Sequence, residues 1–243
     1  MRSSVWKILF FFAAVFLFTG CGPKLVKGPA ETLSASVPDS LKAKFSIETL
    51  DSAEGSHKLS AVLFAVPYKR YRLEISGPMG LGIASLLWHD GEWTLLLPTQ
   101  KAYASGKGYL VGGYAGIPRF DIHRIAALFW GEFLPRNATV DSVKTEVGPD
   151  SSKAVLTFGK NALGISFRME SGPDGRVREL LQGGERLEFS SAAEFDVGVL
   201  PSEVRAFRNG KNVLNIRIKN VRSDASFGGG TWRLSVPERY QRL

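Results

Sequence analysis

Sulfur and imidazole side chains are scarce in this sequence of 243 residues. It contains one cysteine, three methionines and three histidines. A single cysteine cannot form a disulfide within the chain, so folding must rest on packing alone. His57, His89 and His123 lie far apart, and no cysteine or acidic residue stands near them at the spacing of a metal site. We therefore predict no metal and no cofactor.

Recognisable catalytic motifs are also missing. No Gly-x-Ser-x-Gly segment occurs, and the stretch from Gly106 to Gly116 lacks the Ser or Thr and the adjoining helix of a phosphate-binding loop. Four aspartates could include a catalytic carboxylate pair, but nothing distinguishes them from solvated turn residues. They are Asp39, Asp51, Asp90 and Asp121. We predict that the protein is not an enzyme; a hydrolase of envelope lipid or glycan stays open as an alternative.

The apolar run at the N-terminus is too short to cross a bilayer. Ile8 to Phe18 would form a helix of ~16 Å, against a hydrocarbon core of ~30 Å. Arg2 and Lys7 precede the run, and Thr19-Gly20-Cys21 follows it. This arrangement is typical of a bacterial lipoprotein signal, which predicts a signal peptide over residues 1–20 and a lipidated Cys21. The alternative is a plain secretory signal followed by a chance cysteine.

The residues after Cys21 have the composition of a linker. Residues 22–38 (GPKLVKGPAETLSASVP) are rich in Gly, Pro, Ser and Ala and have no apolar period. We assign residues 21–40 to the lipidated N-terminus and a flexible tether, and residues 41–243 to a single domain. The formal net charge of +8 favours anionic lipid headgroups or an acidic partner protein over nucleic acid, although an ordinary solvated surface is the simpler account.

From residue 41 the sequence alternates as antiparallel strands do. Between Arg70 and Ser76 the apolar side chains Tyr71, Leu73 and Ile75 alternate with polar ones, which puts all three on one face of a sheet. Asp90-Gly91 favours a tight hairpin between two further strands, because both residues tolerate positive φ. The predicted strands lie near residues 41–48, 59–66, 70–76, 83–88, 93–97, 139–147, 153–159, 162–170, 176–182, 185–195, 199–208, 212–221 and 227–236. From these thirteen candidate segments we predict a mainly β fold, an incomplete curled antiparallel β-barrel of about eleven strands.

One segment has a helical period. Asp121 can cap a helix whose apolar residues recur every three or four positions until Gly131. We expect this amphipathic helix to plug the concave side of the sheet. Such an arrangement can leave an apolar cavity that suits acyl chains, although core packing alone is the simpler alternative. The candidate cavity residues are Leu73, Ile75, Leu86, Leu95, Leu97, Ile125 and Phe129.

Three groups of residues carry a resemblance to a known family. The first is Arg70 to Gly80 (RYRLEISGPMG), which is similar to the strand and Pro-Leu-Gly loop of the LolB family of outer-membrane lipoprotein receptors. Gly116-Ile117-Pro118, the helix and Trp130 to Pro135 (WGEFLP) are similar to its Gly-x-Pro, helix and Trp-x-x-Gly-x-Pro block. Leu200-Pro201 and the strand Val213 to Lys219 resemble its last strands. The order matches across residues 41–221, but Trp130 and Gly131 are adjacent where the family separates them by two residues.

The resemblance implies an incomplete barrel with helices in its open side and an apolar cavity for acyl chains. It also implies a lipid-anchored carrier on the outer membrane, facing the periplasm, which receives acylated lipoproteins from a soluble periplasmic carrier and inserts them into that membrane. The acyl chains on Cys21 would contact membrane lipid; we expect a monomer that binds no nucleic acid. A structural or lipid- or glycolipid-binding envelope lipoprotein of the same fold is the alternative.

The loop after the third strand has a specific role in that family, where an exposed leucine helps to insert the cargo. Met79 is the counterpart of that leucine. Met79 and Leu81 lie between Gly77 and Gly82, where nothing helps to bury them, so we predict a membrane-insertion loop. The alternative is a tight turn in which Met79 folds back onto the core. Gly22 lacks the acidic side chain that often retains lipoproteins on the inner membrane, which favours the outer membrane.

Overall fold

The computed structural model describes residues 37–51, 55–111, 120–134, 137–147, 153–161 and 164–243. The predicted signal peptide, Cys21, most of the tether and the Gly116-Ile117-Pro118 motif lie outside the described residues. Among the described residues, no helix has the length and apolar character that a bilayer span requires.

The described residues are mainly in strands. The first part of the chain contains β1 (Leu41–Asp51), β2 (Gly55–Val66), β3 (Arg70–Ser76), β4 (Gly82–His89), β5 (Glu92–Leu97), β6 (Ala102–Lys107), β7 (Leu110–Val111) and β8 (Phe120–Asp121). Helix α1 (Ile122–Ala127) and a 3-10 turn (Leu128–Trp130) follow. The rest contains β9 (Thr139–Val147), β10 (Lys153–Lys160), β11 (Ser166–Ser171), β12 (Val177–Gln182), β13 (Glu185–Phe195), β14 (Gly198–Arg208), β15 (Lys211–Ser223) and β16 (Gln241–Arg242).

Fourteen of these strands form one curled, open sheet, which confirms the predicted fold class. β1 to β6 form one antiparallel meander and β9 to β15 form another, and the pairing of β1 with β15 joins the two at the centre. β6, extended by β16, therefore lies near one edge of the sheet, while β9 forms the opposite edge. Because the chain passes from β6 to β9 between these edges, the connecting segment with α1 crosses the sheet.

The strand count exceeds the predicted eleven for local reasons. β6 (AYASGK) contains two alanines and a glycine, residues with low strand propensity, so its sequence does not indicate a strand. β7, β8 and β16 have two residues each, too few for a period to show. The strand predicted at residues 227–236 is wrong: a 3-10 turn, Gly229–Trp232, interrupts that segment, and the residues on either side of it are irregular.

Helix α1 begins where the sequence predicts. The Asp121 side chain accepts hydrogen bonds from the backbone N–H groups of His123 and Arg124, at 2.9 and 3.3 Å. The 3-10 turn that continues the helix ends at Gly131. Its φ of +78° lies in the left-handed region, which glycine adopts without strain. The amphipathic pattern is misleading in one respect, because every residue from Ile122 to Trp130 is buried, His123 and Arg124 included.

The C-terminal segment explains why β2 is apolar on both faces. We define the inner face of the sheet as the one that carries Leu73, Leu214 and α1, and the outer face as its opposite. Phe64 projects from β2 on the outer face and packs edge-to-face on Phe227, with ring centroids 5.6 Å apart. Arg72 holds this segment by donating hydrogen bonds to the carbonyls of Gly230, Thr231 and Arg233 at 3.3, 2.8 and 2.9 Å.

Candidate functional site

The seven predicted cavity residues lie together in one buried cluster. They come from β3, β4 and β5 on the sheet and from α1 with its 3-10 turn, and none is more than 8% exposed. This cluster spans the helical segment and the first half of the inner face. The sequence therefore identified side chains that meet in space; their part in holding an acyl chain stays a prediction.

Aromatic residues that the sequence analysis did not select complete this cluster. Phe45 on β1 packs on Phe129, with ring centroids 4.8 Å apart. Phe189 on β13 packs edge-to-face on Phe133, also at 4.8 Å. Both pairs join strands to the helical segment across large sequence separations, so no local pattern could have indicated them.

The inner face becomes exposed toward β9. A row of directly paired residues crosses this face through Leu214, Ala206, Leu187, Leu180, Met169, Thr157 and Val143. Leu214 is 1% exposed and Val143 is 59% exposed. Val140 and Val147, also on β9, are 48% and 65% exposed. The buried interior thus continues along this row, through the buried Thr157, into apolar surface in contact with water.

A β-bulge places these valines on the same face. β9 pairs Val140 with Gly159 and Ser142 with Phe158, which leaves Asp141 as the extra residue. Without the bulge, Val140 and Val143 would point to opposite faces, since side chains alternate along a strand. The three-residue spacing hides the apolar row from a search for a period of two, which is why the sequence analysis missed it.

Polar side chains lie on the inner face beside α1. Arg124 donates from Nη1 to Oε1 of Gln182 on β12 at 3.4 Å. Burial lowers the pKa of Arg124 from its usual value to about 10, and the nearby Asp121 carboxylate opposes that shift. The guanidinium therefore stays charged at neutral pH. The Gln182 amide is a hydrogen-bond donor beside the apolar side chains of the inner face, where an ester or amide carbonyl could accept.

Glu185 continues this polar group. It lies opposite Gln182 on one side and Arg208 on the other, and accepts a 2.9 Å hydrogen bond from Nη2 of Arg208. Burial raises the pKa of Glu185 from 4.5 to about 7, and the charge and hydrogen bond of Arg208 offset only part of that effect. The inner face therefore holds a carboxyl group that is partly protonated near neutral pH.

The predicted insertion loop is exposed and well ordered by hydrogen bonds. Pro78–Gly80 forms a 3-10 turn, and the Gly77 N–H donates to the Leu81 carbonyl at 2.8 Å. Met79 is fully exposed (104%) and Leu81 is 64% exposed. Met79 has a φ of +57°, in the left-handed region that favours glycine. The side chain does not fold back onto the core, so that alternative is wrong.

The other candidate residues are scattered. His123 is buried in α1, whereas His89 is exposed with its Nε2 3.3 Å from Oδ2 of Asp90 in the β4–β5 turn. Asp121 caps α1, and the side chain of Asp51 lies outside the described residues. Within the described ranges, no group of three or more His, Cys, Asp or Glu residues could hold a metal ion.

Comparison with solved structures defines the class of fold. No family model and no curated protein matches this sequence. The curled sheet is instead similar in structure to a LolA superfamily protein from Nitrosomonas europaea, at 10% identity and a TM-score of 0.56, over 82% of this chain and 91% of that one. The chain thus has a LolA-like fold.

Two further structures share this fold. A DUF1329 family protein from Desulfovibrio piger has 10% identity and a TM-score of 0.58, with 83% of this chain and 92% of that chain covered. A domain from Vibrio parahaemolyticus, named for outer membrane lipoprotein sorting, has 10% identity and a TM-score of 0.54, with 79% and 88% covered. At these identities the likeness concerns the fold.

Proposed function

We propose that this chain is a lipid-anchored, non-enzymatic carrier that receives acylated lipoproteins from a soluble periplasmic carrier and inserts them into the outer membrane. The LolA-like fold, the name of the Vibrio neighbour and the apolar inner face support lipid or lipoprotein binding. The insertion step depends on the β3–β4 loop, and Cys21 supplies the anchor in this proposal.

The exposed Met79 is the observation that carries the proposal. A non-glycine residue in the left-handed region costs about 1–2 kcal/mol, and a methionine in water gains nothing from burial. Folding alone would therefore favour glycine at this position. Met79 is therefore unfavourable in water, but its apolar side chain would be stabilised inside a bilayer. This is the behaviour expected of a loop that enters a membrane.

The inner face fits the second requirement, a sheltered place for acyl chains. Each CH₂ removed from water is stabilised by about 0.8 kcal/mol, so a cargo chain needs cover while it crosses the periplasm. The exposed valines of β9 give it a point of entry to the apolar row, and the Gln182 amide can meet its ester or amide carbonyl. Binding must still be weaker than in a bilayer, or release would not occur.

The tether can bring the insertion loop to the membrane. β1 begins at Leu41, and the register pairs Ser46 with Ser60 and Ser60 with Ser76, the last residue before the loop. The five residues from Leu41 to Ser46 span ~17 Å along the strand. The loop therefore begins ~17 Å along the sheet from the point where the tether enters, and it projects further in the same direction. Residues 22–38 reach ~55 Å when extended, which is enough for the anchor and the loop to engage one bilayer.

Native mass spectrometry of the full chain with Cys21→Ala tests the carrier function. We expect co-purified acyl ligand, or uptake of an added acylated peptide. Val143→Asp should weaken that uptake at least tenfold, because it places a charge in the apolar row, whereas Lys144→Asp on the neighbouring position of β9 should leave it unchanged. A protein that stays empty and takes up no acylated peptide would remove the carrier function.

A second assay tests the insertion loop. Met79→Glu should leave folding and cargo uptake intact but slow transfer of an acylated protein into vesicles. Thr99→Glu is a matched control, because it places the same charge in the exposed β5–β6 turn at the same end of the sheet. Equal transfer rates for the two variants would reject a role for the loop.

One observation favours a second candidate, a structural or lipid- or glycolipid-binding envelope lipoprotein of the same fold. The seven predicted cavity residues are buried against one another, as side chains that fill a core would be. A Cys21→Ala protein that binds lipid or glycolipid in the mass spectrometer, but transfers no acylated protein to vesicles, would support this candidate over the first.

A further inference from the structure

A cleft of about 440 Å³ opens on the outer face of the sheet, on the side away from α1. Its floor contains Lys42 of β1 and Arg222 of β15, which lie directly opposite each other, together with Phe64 of β2. The C-terminal segment from Ala225 to Thr231 forms one wall, and Asp196 of the β13–β14 turn also lines the cleft. This volume is within the range of small-molecule sites, ~300–1,000 Å³.

The two cations in the floor have no ion-pair partner among the residues that the structure describes. Among the described residues, no carboxylate oxygen lies within 4 Å of the Lys42 or Arg222 side-chain nitrogens. Two like charges directly opposite each other on a sheet are destabilising. An anion between them would relieve that repulsion and would bind both charges in a partly enclosed, low-dielectric site.

Three arginines on the outer face of β11 to β14 are paired with glutamates, unlike Lys42 and Arg222. Across β11 to β14, Arg168 Nη2 lies 2.5 Å from Oε1 of Glu179. The two carboxylate oxygens of Glu188 lie 3.1 Å from Nη2 of Arg186 and 3.1 Å from Nη2 of Arg205. These ion pairs form a continuous ladder. The ladder does not extend to Lys42 and Arg222 on β1 and β15, so it does not neutralise the two cations that line the cleft.

The remaining lining favours a ligand with a cationic group as well. Asp196 supplies one carboxylate, and no cation is within 4 Å of it among the described residues. Phe64 and Phe227 present aromatic surface, with Lys42 Nζ already 5.0 Å from the Phe64 centroid. The hydroxyls of Ser223, Ser226 and Thr231 add hydrogen-bonding groups. The cleft therefore combines two positive charges with one negative charge.

We propose that this cleft binds the zwitterionic headgroup of a membrane phospholipid, a phosphodiester that carries a primary ammonium group. The phosphate lies between Lys42 and Arg222, which donate charge-assisted hydrogen bonds to its oxygens. The ammonium is paired with Asp196. A bare phosphate would leave the carboxylate as a repulsive neighbour, whereas the phosphoethanolamine group complements all three charges.

The position of the cleft suits a lipid at the membrane. Lys42 is the second residue of β1, so the cleft adjoins the point where the tether enters the domain. A domain anchored through Cys21 meets headgroups at a high effective concentration, which makes a weak site effective. The cleft is on the face opposite to the proposed acyl site and at the other end of β1 from Met79, so mutations can separate the three functions.

Vesicle sedimentation of the full chain with Cys21→Ala tests the proposal without the lipid anchor. Vesicles of phosphatidylcholine are compared with the same vesicles containing phosphatidylethanolamine or phosphatidylglycerol. We expect at least tenfold tighter binding to the phosphatidylethanolamine vesicles than to phosphatidylcholine alone. Lys42→Gln with Arg222→Gln should lose that binding, and Asp196→Asn should lose the preference for phosphatidylethanolamine.

The control removes the same charge elsewhere. Lys101→Gln with Arg239→Gln changes two exposed cations outside the cleft and should keep the preference. Equal losses in the two double variants, or a wild-type preference for phosphatidylglycerol, would overturn the proposal. Soluble glycerophosphoethanolamine should compete with vesicles more strongly than inorganic phosphate does. Binding of the soluble compound without any vesicle binding would instead identify a free phosphoester as the ligand and overturn the membrane source.

These outcomes are independent of the carrier function. The cleft variants alter no residue of the inner face or of the Met79 loop, so acyl uptake should be unchanged in them. A protein that takes up acyl ligand but ignores headgroups would fail only the present inference. One that distinguishes headgroups but stays empty of acyl ligand would fail only the carrier proposal.

Discussion

The Tyr71 hydroxyl lies 2.7 Å from Nδ1 of His123, and this hydrogen bond joins strand β3 to helix α1 in the interior. The same hydroxyl oxygen accepts from the Tyr68 N–H at 2.8 Å. Nε2 of the same imidazole lies 4.0 Å from Oε2 of Glu132. A helix of six residues is unstable alone, so contacts of this kind hold α1 on the sheet.

Tyr71→Phe removes this hydroxyl while keeping the ring. Both the His123 nitrogen and the Tyr68 N–H lose a partner in a buried setting, so we expect the free energy of unfolding to fall by about 1–3 kcal/mol. Urea denaturation measures the change. Tyr103→Phe, on half-buried β6, is the control and should change stability by less than about 0.5 kcal/mol. Equal effects would show that the Tyr71 hydroxyl has no special part in holding α1.

Asp121 has two roles that substitution can separate. Asp121→Ala removes the cap of α1 and should lower the free energy of unfolding by about 1–2 kcal/mol. Asp121→Asn keeps a capping oxygen but removes the negative charge that raises the pKa of Arg124. We expect the Asn variant to retain most of the stability in urea denaturation. If it instead loses as much as the Ala variant, the charge next to Arg124 matters more than the cap.

Glu185 should make stability depend on pH. Its pKa is raised from 4.5 to about 7 by burial, so between these values the unfolded chain has lost a proton that the folded protein keeps. Folded protein then binds more protons than unfolded protein, and stability falls as pH rises through this window. Above about pH 7 the contribution is constant. We therefore expect wild type to lose stability relative to Glu185→Gln between pH 4.5 and 7, as measured by denaturation across this range. A difference that is constant with pH would contradict the raised pKa.

Met79→Gly separates folding from membrane insertion. Glycine relieves the left-handed strain but costs about 0.5–1 kcal/mol in chain entropy, so stability should stay equal or rise by up to ~1 kcal/mol. Insertion of an acylated protein into vesicles should slow at the same time, because the apolar side chain is gone. Thermal unfolding and the transfer assay are read on the same preparation. Loss of stability in Met79→Gly would show that the methionine serves the fold.

Local features of the fold were predictable where the physical cause is local. The Asp90-Gly91 turn has φ values of +50° and +83°, as that pair favours. The alternation at Tyr71, Leu73 and Ile75 places all three on the inner face, where they are at most 8% exposed. The exposure of Met79 followed from its glycine and proline neighbours.

Features that depend on distant partners could not be predicted. The Asp141 bulge hides the apolar row of β9 from a search for a period of two, because its extra residue shifts the alternation. The helical pattern predicts that Arg124 lies on the exposed polar side of the helix. It is buried, because α1 packs into the curled sheet. The segment after β15 reads as a strand, but its aromatic residues pack on the outer face of β2 instead.

The sequence by itself determined most of the strands, the Asp90-Gly91 turn and the cap of α1, because alternation, turn conformation and capping depend on residues a few positions apart. Only the tertiary structure decided that β1 pairs with β15, with Leu41 opposite Ser223, and so brought Lys42 to Arg222. That pairing is selected by burial of two apolar faces from opposite ends of the chain. No local pattern contains this information, since either face alone would fit many partners.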